Sequence, residues 1–355
     1  MTDGGASSLD ALGEGPSLRA RLSTVLRASA ARERPVALQP TAAREFEAER
    51  ARLAVDARRC LDAALGRLGV VGVAGWASPQ SEDERVGLVL LRALRDRPAL
   101  RVRNGLMETP PAPWGELLVT RDAIERAAAA VGRFELGEVS PLPIATGFLV
   151  APDLVMTNRH VVSIFASSRD GHAWEIGEQH RVSVNWTAED GGSGPTQTPV
   201  VAVVAVHPTD DVALVRIAPT PRSGTIVPLT FWEADSAPGS THTICVIGHP
   251  IADRDAATPT GLVERVFRGV MGTKRVMPGE LYPQLDLMGF CGHDASTIAG
   301  ASGSPVLDPQ SGSVLAVHSR GVWAKGNKAV ALWRILDQPM FSWRRLTPAP
   351  AATTR

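Results

Sequence analysis

The chain has 355 residues, of which 44% are hydrophobic, and its 37 basic residues equal its 37 acidic residues in number. This length allows two or three domains with a substantial core, and the balanced charge excludes a global field that would favour nucleic acid or an anionic membrane. The longest aliphatic run, residues 200–206, is far shorter than the roughly 20 residues that cross a bilayer. We therefore expect a globular protein that binds neither nucleic acid nor membrane.

Residues 1–115 are predicted to form an α-helical N-terminal region. Apolar residues recur at steps of three and four between positions 46 and 68, which is typical of an amphipathic helix. Ser81 and Glu84 have capping-box spacing at the start of a second helix, which Pro98 ends. We expect the first 40 residues, rich in Ala, Arg, Gly and Ser, to form a frayed arm, and the prolines at 110–113 to form a linker.

The remainder of the chain has the pattern of an all-β protein. After a short helix at 122–131, apolar runs alternate with turn residues, and a Pro/Gly-bearing connector at 218–224 divides them into two groups. The pattern predicts two β-barrels, at 116–224 and 225–345, followed by a tail at 346–355. The predicted strands are 133–136, 147–150, 154–157, 182–186, 200–207, 213–217, 243–248, 263–269, 306–307, 314–318 and 329–333.

The cysteines and the N-terminus indicate the compartment. Cys60, Cys245 and Cys291 are odd in number and widely scattered, which does not fit a disulfide framework and favours a reducing compartment. Residues 1–16 are polar and acidic, without the basic and apolar stretches of a signal peptide. No His/Cys pair has zinc-finger spacing. We expect a cytoplasmic protein without a metal or a cofactor.

Three motifs carry the chemistry of the chain. His160 lies in Thr-Asn-Arg-His-Val, Asp211 precedes Val-Ala-Leu-Val, and Ser302 lies in Gly-Ala-Ser-Gly-Ser-Pro. A serine hydroxyl needs a base to accept its proton when it attacks a carbonyl. His160 is the predicted base, and Asp211 is the predicted partner that sets its tautomer. His, Asp and Ser follow in one of the known chain orders of such a triad.

The glycine before Ser302 has a separate predicted role. A tetrahedral intermediate carries an oxyanion, which two preorganised backbone N–H groups stabilise. Gly300 and Ser302 can supply these groups, because Gly300 tolerates the unusual backbone conformation that the turn requires.

These motifs resemble the chymotrypsin-like (trypsin-fold) serine peptidases, and most closely the bacterial glutamyl endopeptidase branch. The resemblance extends over residues 130–340 and implies a double six-stranded antiparallel β-barrel with the triad His160, Asp211 and Ser302. It favours Asp211 over its neighbour Asp210, because the triad residue directly precedes the aliphatic strand. Ala301 stands where animal relatives have an aspartate that traps a new N-terminal amine, which excludes that route of zymogen activation.

The resemblance also implies four substrate-site residues. Ser319 falls where the family supports the buried aspartate, and Gly321 where the pocket backbone pairs with substrate. Thr297 and His318 fall where glutamyl endopeptidases bind the substrate carboxylate, so we expect cleavage after Glu or Asp, with Arg320 either adding charge or remaining a solvated side chain. The alternative for His318 is a purely structural role as a core histidine. We assume a structural role for His207, His242, His249 and His293.

Two functions from different classes remain open. The first is a serine endopeptidase that acts on protein or peptide substrates. The alternative is a catalytically silent protease-fold module that serves binding or scaffolding. An α/β-hydrolase esterase is disfavoured, because it needs Gly-x-Ser-x-Gly and the chain order Ser–Asp–His. We expect residues 1–115 to hold the enzyme latent or to bind a regulatory protein.

Overall fold

A computed structural model describes residue 59 and residues 97–168, 173–192, 194, 196–219, 226–232, 238, 242–251, 266–322 and 326–346. The helices predicted at 46–68 and 81–98 lie almost entirely outside these residues, as do the frayed arm, most of the 218–224 connector and nearly all of the C-terminal tail. None of the described helices is long and apolar enough to cross a membrane.

The described chain begins with two strands where the sequence suggested a helical region and a linker. Strand β1 (Leu100–Arg103) pairs antiparallel with β2 (Leu106–Met107), and its Leu100 and Val102 side chains are buried. A 3₁₀ helix (Ala112–Leu118) and helix α1 (Arg121–Ala129) follow. Buried and more exposed positions alternate along β1, as expected for a strand. Four residues are too few for this alternation to be recognised from sequence.

Six strands close into the first barrel. They are β3 (Val131–Leu136), β4 (Leu142–Ala151), β5 (Leu154–Thr157), β8 (Val182–Asn185), β9 (Gln197–Val206) and β10 (Ala213–Ile217), and their order around the barrel is β10-β5-β4-β3-β8-β9. The short helix α2 (Arg159–Val162) follows β5, and a separate hairpin joins β6 (Ala166–Ser168) to β7 (Trp174–Ile176).

The second barrel also has six strands. They are β11 (His242–Gly248), β12 (Arg275–Tyr282), β13 (Phe290–His293), β14 (Pro305–Leu307), β15 (Val314–Val322) and β16 (Gly326–Ala331). They are hydrogen-bonded in the order β11-β14-β15-β16-β13-β12, and β12 pairs again with β11, which closes the ring. Strand β1 extends this sheet by pairing with β12. Two 3₁₀ helices, Leu332–Arg334 and Pro339–Leu346, end the described chain.

The predicted double six-stranded barrel is confirmed. The prediction of a strand at 263–269 is wrong over residues 266–269, which form a helical turn, and strands β12 and β13 were not predicted. Pro278 and Gly279 lie inside β12, and these two residue types ordinarily mark turns rather than central strands. Here Pro278 stands opposite Cys245 in the β11–β12 ladder, so tertiary pairing overrides the local signal.

The two barrels meet where the serine turn approaches the first barrel. The Thr146 N–H, in β4, donates to the Ser302 carbonyl at 2.9 Å, and Thr157 Oγ1 donates to the Thr146 carbonyl at 2.8 Å. Thr146 and Thr157 are fully buried and Ser302 is only partly exposed, so these hydrogen bonds are sheltered from water. The junction of the barrels therefore sets the position of the turn that carries Ser302.

Candidate active site

His160 and Asp211 emerge from neighbouring strand ends of the first barrel. His160 lies on α2, directly after β5, and Asp211 lies two residues before β10. Since β5 and β10 run antiparallel with Ala213 opposite Thr157, the end of one strand faces the start of the other. The Asn158 amide donates to the Asp211 carbonyl at 2.8 Å and ties the two segments together.

Both oxygens of Asp211 bind His160, one at the imidazole and the other at the backbone. His160 Nδ1 lies 2.7 Å from Asp211 Oδ2, and the His160 backbone N–H donates to Oδ1 at 3.0 Å. An ionised carboxylate only accepts hydrogen bonds, so Nδ1 carries the proton and Nε2 is the basic nitrogen. The His160 side chain is 47% exposed, which leaves Nε2 free to meet a substrate.

Asp211 is held in its ionised form. Burial opposes ionisation, but the hydrogen bonds and charge from His160, together with the Ser319 hydroxyl, more than offset it and hold the pKa of Asp211 below its usual value. Ser319 Oγ donates to Asp211 Oδ2 at 2.5 Å. The carboxylate therefore carries a full charge at neutral pH, where it can stabilise an imidazolium that forms beside it.

Ser302 lies in the turn between β13 and β14 and reaches the other two residues through Ser319. Ser302 Oγ donates to the Ser319 carbonyl at 3.1 Å, and the hydroxyl of the same Ser319 binds Asp211. Among the described residues no hydrogen bond joins Ser302 to His160. Hydrogen bonds of this kind often tighten only when substrate is bound.

The turn around Ser302 requires its two glycines. Gly300 and Gly303 both have a φ of +83°, in the left-handed region that side chains disfavour. A Cβ on Gly300 would lie 2.5 Å from the His249 carbonyl oxygen, and one on Gly303 would collide with the Thr146 carbonyl. A larger residue at either position would therefore force the backbone of this turn or its neighbours to move.

The same turn contains two backbone N–H groups that have no acceptor in the described part of the chain. The Ala299 carbonyl accepts from Ile251 N–H at 2.8 Å, and the Ala301 carbonyl accepts from Ser304 N–H at 3.0 Å. In a planar trans peptide the N–H points opposite to the C=O, so these bonds direct the Gly300 and Ser302 N–H groups the other way. Neither N–H has a partner among the described residues, as an oxyanion hole requires.

Thr146 supports this turn, a role that sequence reasoning missed. Its hydroxyl donates to the Gly300 carbonyl at 2.8 Å and accepts from the His249 N–H at 3.0 Å. The bond to Gly300 crosses between the barrels and holds the peptide that follows this glycine. The sequence motif Thr-Gly-Phe-Leu-Val offered the residue but no signal for this contact, because its partner lies 154 positions away.

The four predicted substrate-site residues lie on and beside β15. Ser319 contacts Asp211 as described, and a Cβ on Gly321 would approach the Thr297 hydroxyl to 3.8 Å. Thr297 Oγ1 is buried and has no partner in the described part of the chain. The remaining candidate charge, Arg320, is exposed on β15 and its guanidinium lies 5.1 Å from the centre of the Phe290 ring.

His318 is paired with His293, a histidine that the sequence alone suggests is structural. His318 Nδ1 lies 2.9 Å from His293 Nε2, and both residues are 2% exposed. Burial lowers the pKa of His293 to about 3, and burial together with the nearby His293 and His160 holds the pKa of His318 well below its usual value. Both rings are therefore neutral at pH 7.

The environment of the pair indicates which nitrogens carry protons. His293 Nδ1 is buried without a partner among the described residues, and an unpaired buried N–H costs more than an unpaired lone pair. The favoured tautomer has His293 Nε2–H donating to His318 Nδ1, which leaves His318 Nε2–H as a free donor. This contact could not be predicted from sequence, since His293 and His318 are 25 residues apart on different strands.

Asp210 has a separate set of partners. Its carboxylate forms an ion pair with Arg334, and its backbone N–H donates to His207 Nδ1 at 2.9 Å. His207 Nε2 in turn lies 2.6 Å from Gln338 Oε1. Asp210 therefore anchors the C-terminal segment to the loop before β10, while its neighbour Asp211 faces His160.

Comparison with known proteins supports the family resemblance. Residues 145–317 match the family described as trypsin-like peptidase domain. A protein named as a probable serine protease from Lysobacter enzymogenes is 29% identical over 248 residues, which cover 59% of this chain and 61% of that protein. The chain thus spans less than two thirds of the length of this relative.

Solved structures show the same kind of likeness at lower identity. Rv3671c from Mycobacterium tuberculosis, in an inactive form, is 20% identical with a TM-score of 0.41, over 68% of this chain and 98% of that one. A serine endoprotease from Yersinia pestis is 16% identical with a TM-score of 0.42, over 63% and 66%. The glutamyl endopeptidase branch, which is finer than the matched family, stays a prediction.

Proposed function

We propose that this chain, whose residues 145–317 match the family described as trypsin-like peptidase domain, is a serine endopeptidase that hydrolyses peptide bonds through an acyl-enzyme. The observation that carries the proposal is the continuous chain of contacts from Ser302 through Ser319 and Asp211 to His160. It combines a hydroxyl, a correctly oriented base and an ionised carboxylate within one junction between the barrels.

In the proposed reaction Ser302 Oγ attacks the scissile carbonyl carbon while His160 Nε2 takes the hydroxyl proton. Asp211 keeps the proton on Nδ1 and stabilises the imidazolium. The carbonyl oxygen becomes an oxyanion, which accepts from the Gly300 and Ser302 N–H groups. His160 then protonates the leaving amine, and water hydrolyses the acyl-enzyme by the same steps in reverse order.

We further propose a preference for Glu or Asp at P1. Among the described residues the Thr297 hydroxyl near Gly321 has no partner, and His318 Nε2–H is not engaged by His293; both can donate to a carboxylate. A neutral imidazole suffices for this, because His293 Nε2–H donates to His318 Nδ1 and the proton of His318 therefore lies on Nε2. The absence of a partner for the buried Thr297 hydroxyl among the described residues also favours a ligand there.

Peptides that differ only at P1 test the selectivity. We expect kcat/KM for Glu to exceed that for Gln, the neutral isostere, and for Lys and Phe. Thr297→Val removes one donor at nearly constant volume and should lower the Glu/Gln ratio without slowing cleavage of the Gln peptide. A clear preference of the wild type for Lys, Arg or Phe would refute this selectivity but leave the endopeptidase proposal intact.

The second candidate function is a catalytically silent binding module. It is favoured by one observation, the hydrogen bond of Ser302 Oγ to the Ser319 carbonyl rather than to His160. A fluorophosphonate probe separates the candidates, because it reacts only with an activated serine. We expect the wild type to be labelled and Ser302→Ala to remain unlabelled. Equal labelling of the two proteins, or none of either, supports the silent module.

Two wider proposals concern the setting of the enzyme. We propose that residues 1–115 hold the peptidase latent or bind a regulatory protein. Comparing the activity and the co-purifying proteins of the full chain with those of a chain that starts at Arg97, which keeps β1, tests this. We also propose that it works in the cytoplasm, because Cys245 and Cys291 are free, buried thiols whose pKa values burial raises. Cell fractionation tests the compartment, and recovery outside the cytoplasm would refute it.

A further inference from the structure

Arg97 joins the segment before the barrels to residues 294–297, which follow β13, include Thr297 and are called the specificity loop below. The guanidinium of Arg97 contacts Asp294 Oδ2 at 2.8 Å, and the Arg97 carbonyl accepts from Ser296 Oγ at 2.7 Å. Both ends of this one residue therefore hold the stretch 294–296, which directly follows β13 in sequence.

The stretch 294–296, which Arg97 holds, lies between His293 and Thr297 in sequence. Asp294 follows His293, whose Nε2 binds His318, and Ser296 precedes Thr297, whose hydroxyl is buried without a partner among the described residues. A shift of 294–296 would therefore move His293 and Thr297 together. Proper alignment of such donors depends on distances of well under 1 Å.

The Asp294 side chain links the stretch 294–296 to several partners. Its Oδ1 accepts from the Glu280 N–H at 2.7 Å, and its Oδ2 accepts from Tyr282 at 3.0 Å as well as from Arg97. Glu280 and Tyr282 belong to β12, so they fix Asp294 to the barrel itself. Of these partners, Arg97 alone comes from the segment that precedes the barrels.

Arg97 is itself fixed in place. Its guanidinium lies 5.0 Å from the centre of the buried Trp114 ring, which gives a cation–π contact. Two residues later the chain enters β1 through buried Ala99 and Leu100, and β1 pairs with β12. The segment is thus bound to β12, the same strand that anchors Asp294. Arg97 and Asp294 are therefore both fixed relative to β12.

We propose that Arg97 is a positioning residue for recognition of the acidic P1 side chain, a role that rests on the P1 selectivity proposed above. By holding 294–296 it sets the distance between Thr297 Oγ1 and His318 Nε2 and so aligns both donors on one carboxylate. None of its described hydrogen bonds or ion pairs is to the serine turn. Its effect is on selectivity and KM rather than on the reactivity of Ser302.

Arg97→Gln tests the proposal in the full-length protein. It removes the charge but keeps the backbone carbonyl that Ser296 binds. We expect the Glu/Gln selectivity ratio to fall about tenfold through a higher KM for the Glu peptide, the size of effect that follows from one misplaced hydrogen bond to a charged group. The kcat for both peptides and the rate of fluorophosphonate labelling should stay within about twofold of the wild type. Arg97→Lys, which keeps the cation, should restore most of the ratio.

Arg103→Gln is the matched control. Arg103 lies on the same segment, is 63% exposed and pairs with Asp190, away from the specificity loop. It should leave the ratio unchanged. An unchanged ratio in Arg97→Gln, or an equal loss of Glu cleavage, Gln cleavage and labelling, refutes the positioning role when the wild type prefers Glu. A wild type that is labelled but lacks any acidic preference refutes the proposed selectivity itself.

Discussion

Replacing Gly300 by alanine is the sharpest test of the oxyanion hole. At a φ of +83° an alanine costs about 1–2 kcal/mol, and its Cβ would lie 2.5 Å from the His249 carbonyl oxygen and 2.8 Å from Ile251 Cγ1. The first of these neighbours is backbone, so the peptide of residue 300 must turn and carry its N–H away from the substrate oxygen. Loss of one such donor raises the barrier by about 3–4 kcal/mol, which is a fall of about 100- to 1,000-fold in kcat.

The assay compares kcat on a P1-Glu peptide with the free energy of unfolding in denaturant. Gly105→Ala is the matched control, since Gly105 has a φ of +81° but a Cβ added there would have no atom within 4 Å. Both variants should lose similar stability from the backbone conformation, with a further loss for Gly300→Ala from the collision. Only Gly300→Ala should lose activity. A Gly300→Ala protein that is folded and retains kcat within about threefold would refute the role of its N–H.

Three further predictions follow from the hydrogen bonds, burial and strand pairing of the site. Ser319→Ala keeps the carbonyl that Ser302 binds but removes the 2.5 Å bond to Asp211, so kcat should fall at least about tenfold; an unchanged kcat would contradict this support. Burial holds the pKa of His293 at about 3, against about 6.5 in the unfolded chain, so the unfolded state binds the proton first and stability falls as the pH drops below about 6.5. Between pH 7 and pH 5 the wild type should lose about 2 kcal/mol more than His293→Gln in denaturant titrations, and identical losses would contradict a buried neutral ring. A chain that starts at Trp114 lacks β1 and should be less stable than one that starts at Arg97 by about 3–6 kcal/mol, from the two buried aliphatic side chains of β1; equal denaturation midpoints would show that β1 does not support the barrel.

Strand periodicity accounts for what could be predicted of the fold. The bounds predicted for β5 and β10 agree with the structure, because both are continuous apolar runs with clear turn residues at each end. Strand β12 was missed because Pro278 and Gly279 are local turn signals, and pairing with strands remote in sequence, seven residues of it with β11, overrides them. Strand β1 was missed because four residues are too few for a period, and its partner Val276 in β12 is remote in sequence.

The order and context of His160, Asp211 and Ser302 are properties of the sequence alone, and so is the glycine at position 300. They could be identified because each chemical role demands a residue type that few alternatives supply. The structure brings these residues together, but their catalytic roles stay proposals until they are tested.

The contacts that orient these residues are decided only by the tertiary structure. The bond of Thr146 to the Gly300 carbonyl, that of His293 to His318 and that of Arg97 to Asp294 join positions 154, 25 and 197 residues apart. A polar side chain has no local signature that names a distant partner, since many residue types can donate or accept a hydrogen bond. Burial then makes the pairing consequential, because it removes the water that would otherwise compete for each bond. The sequence thus determined which groups could react, and the packing of two barrels decided which groups hold them in place.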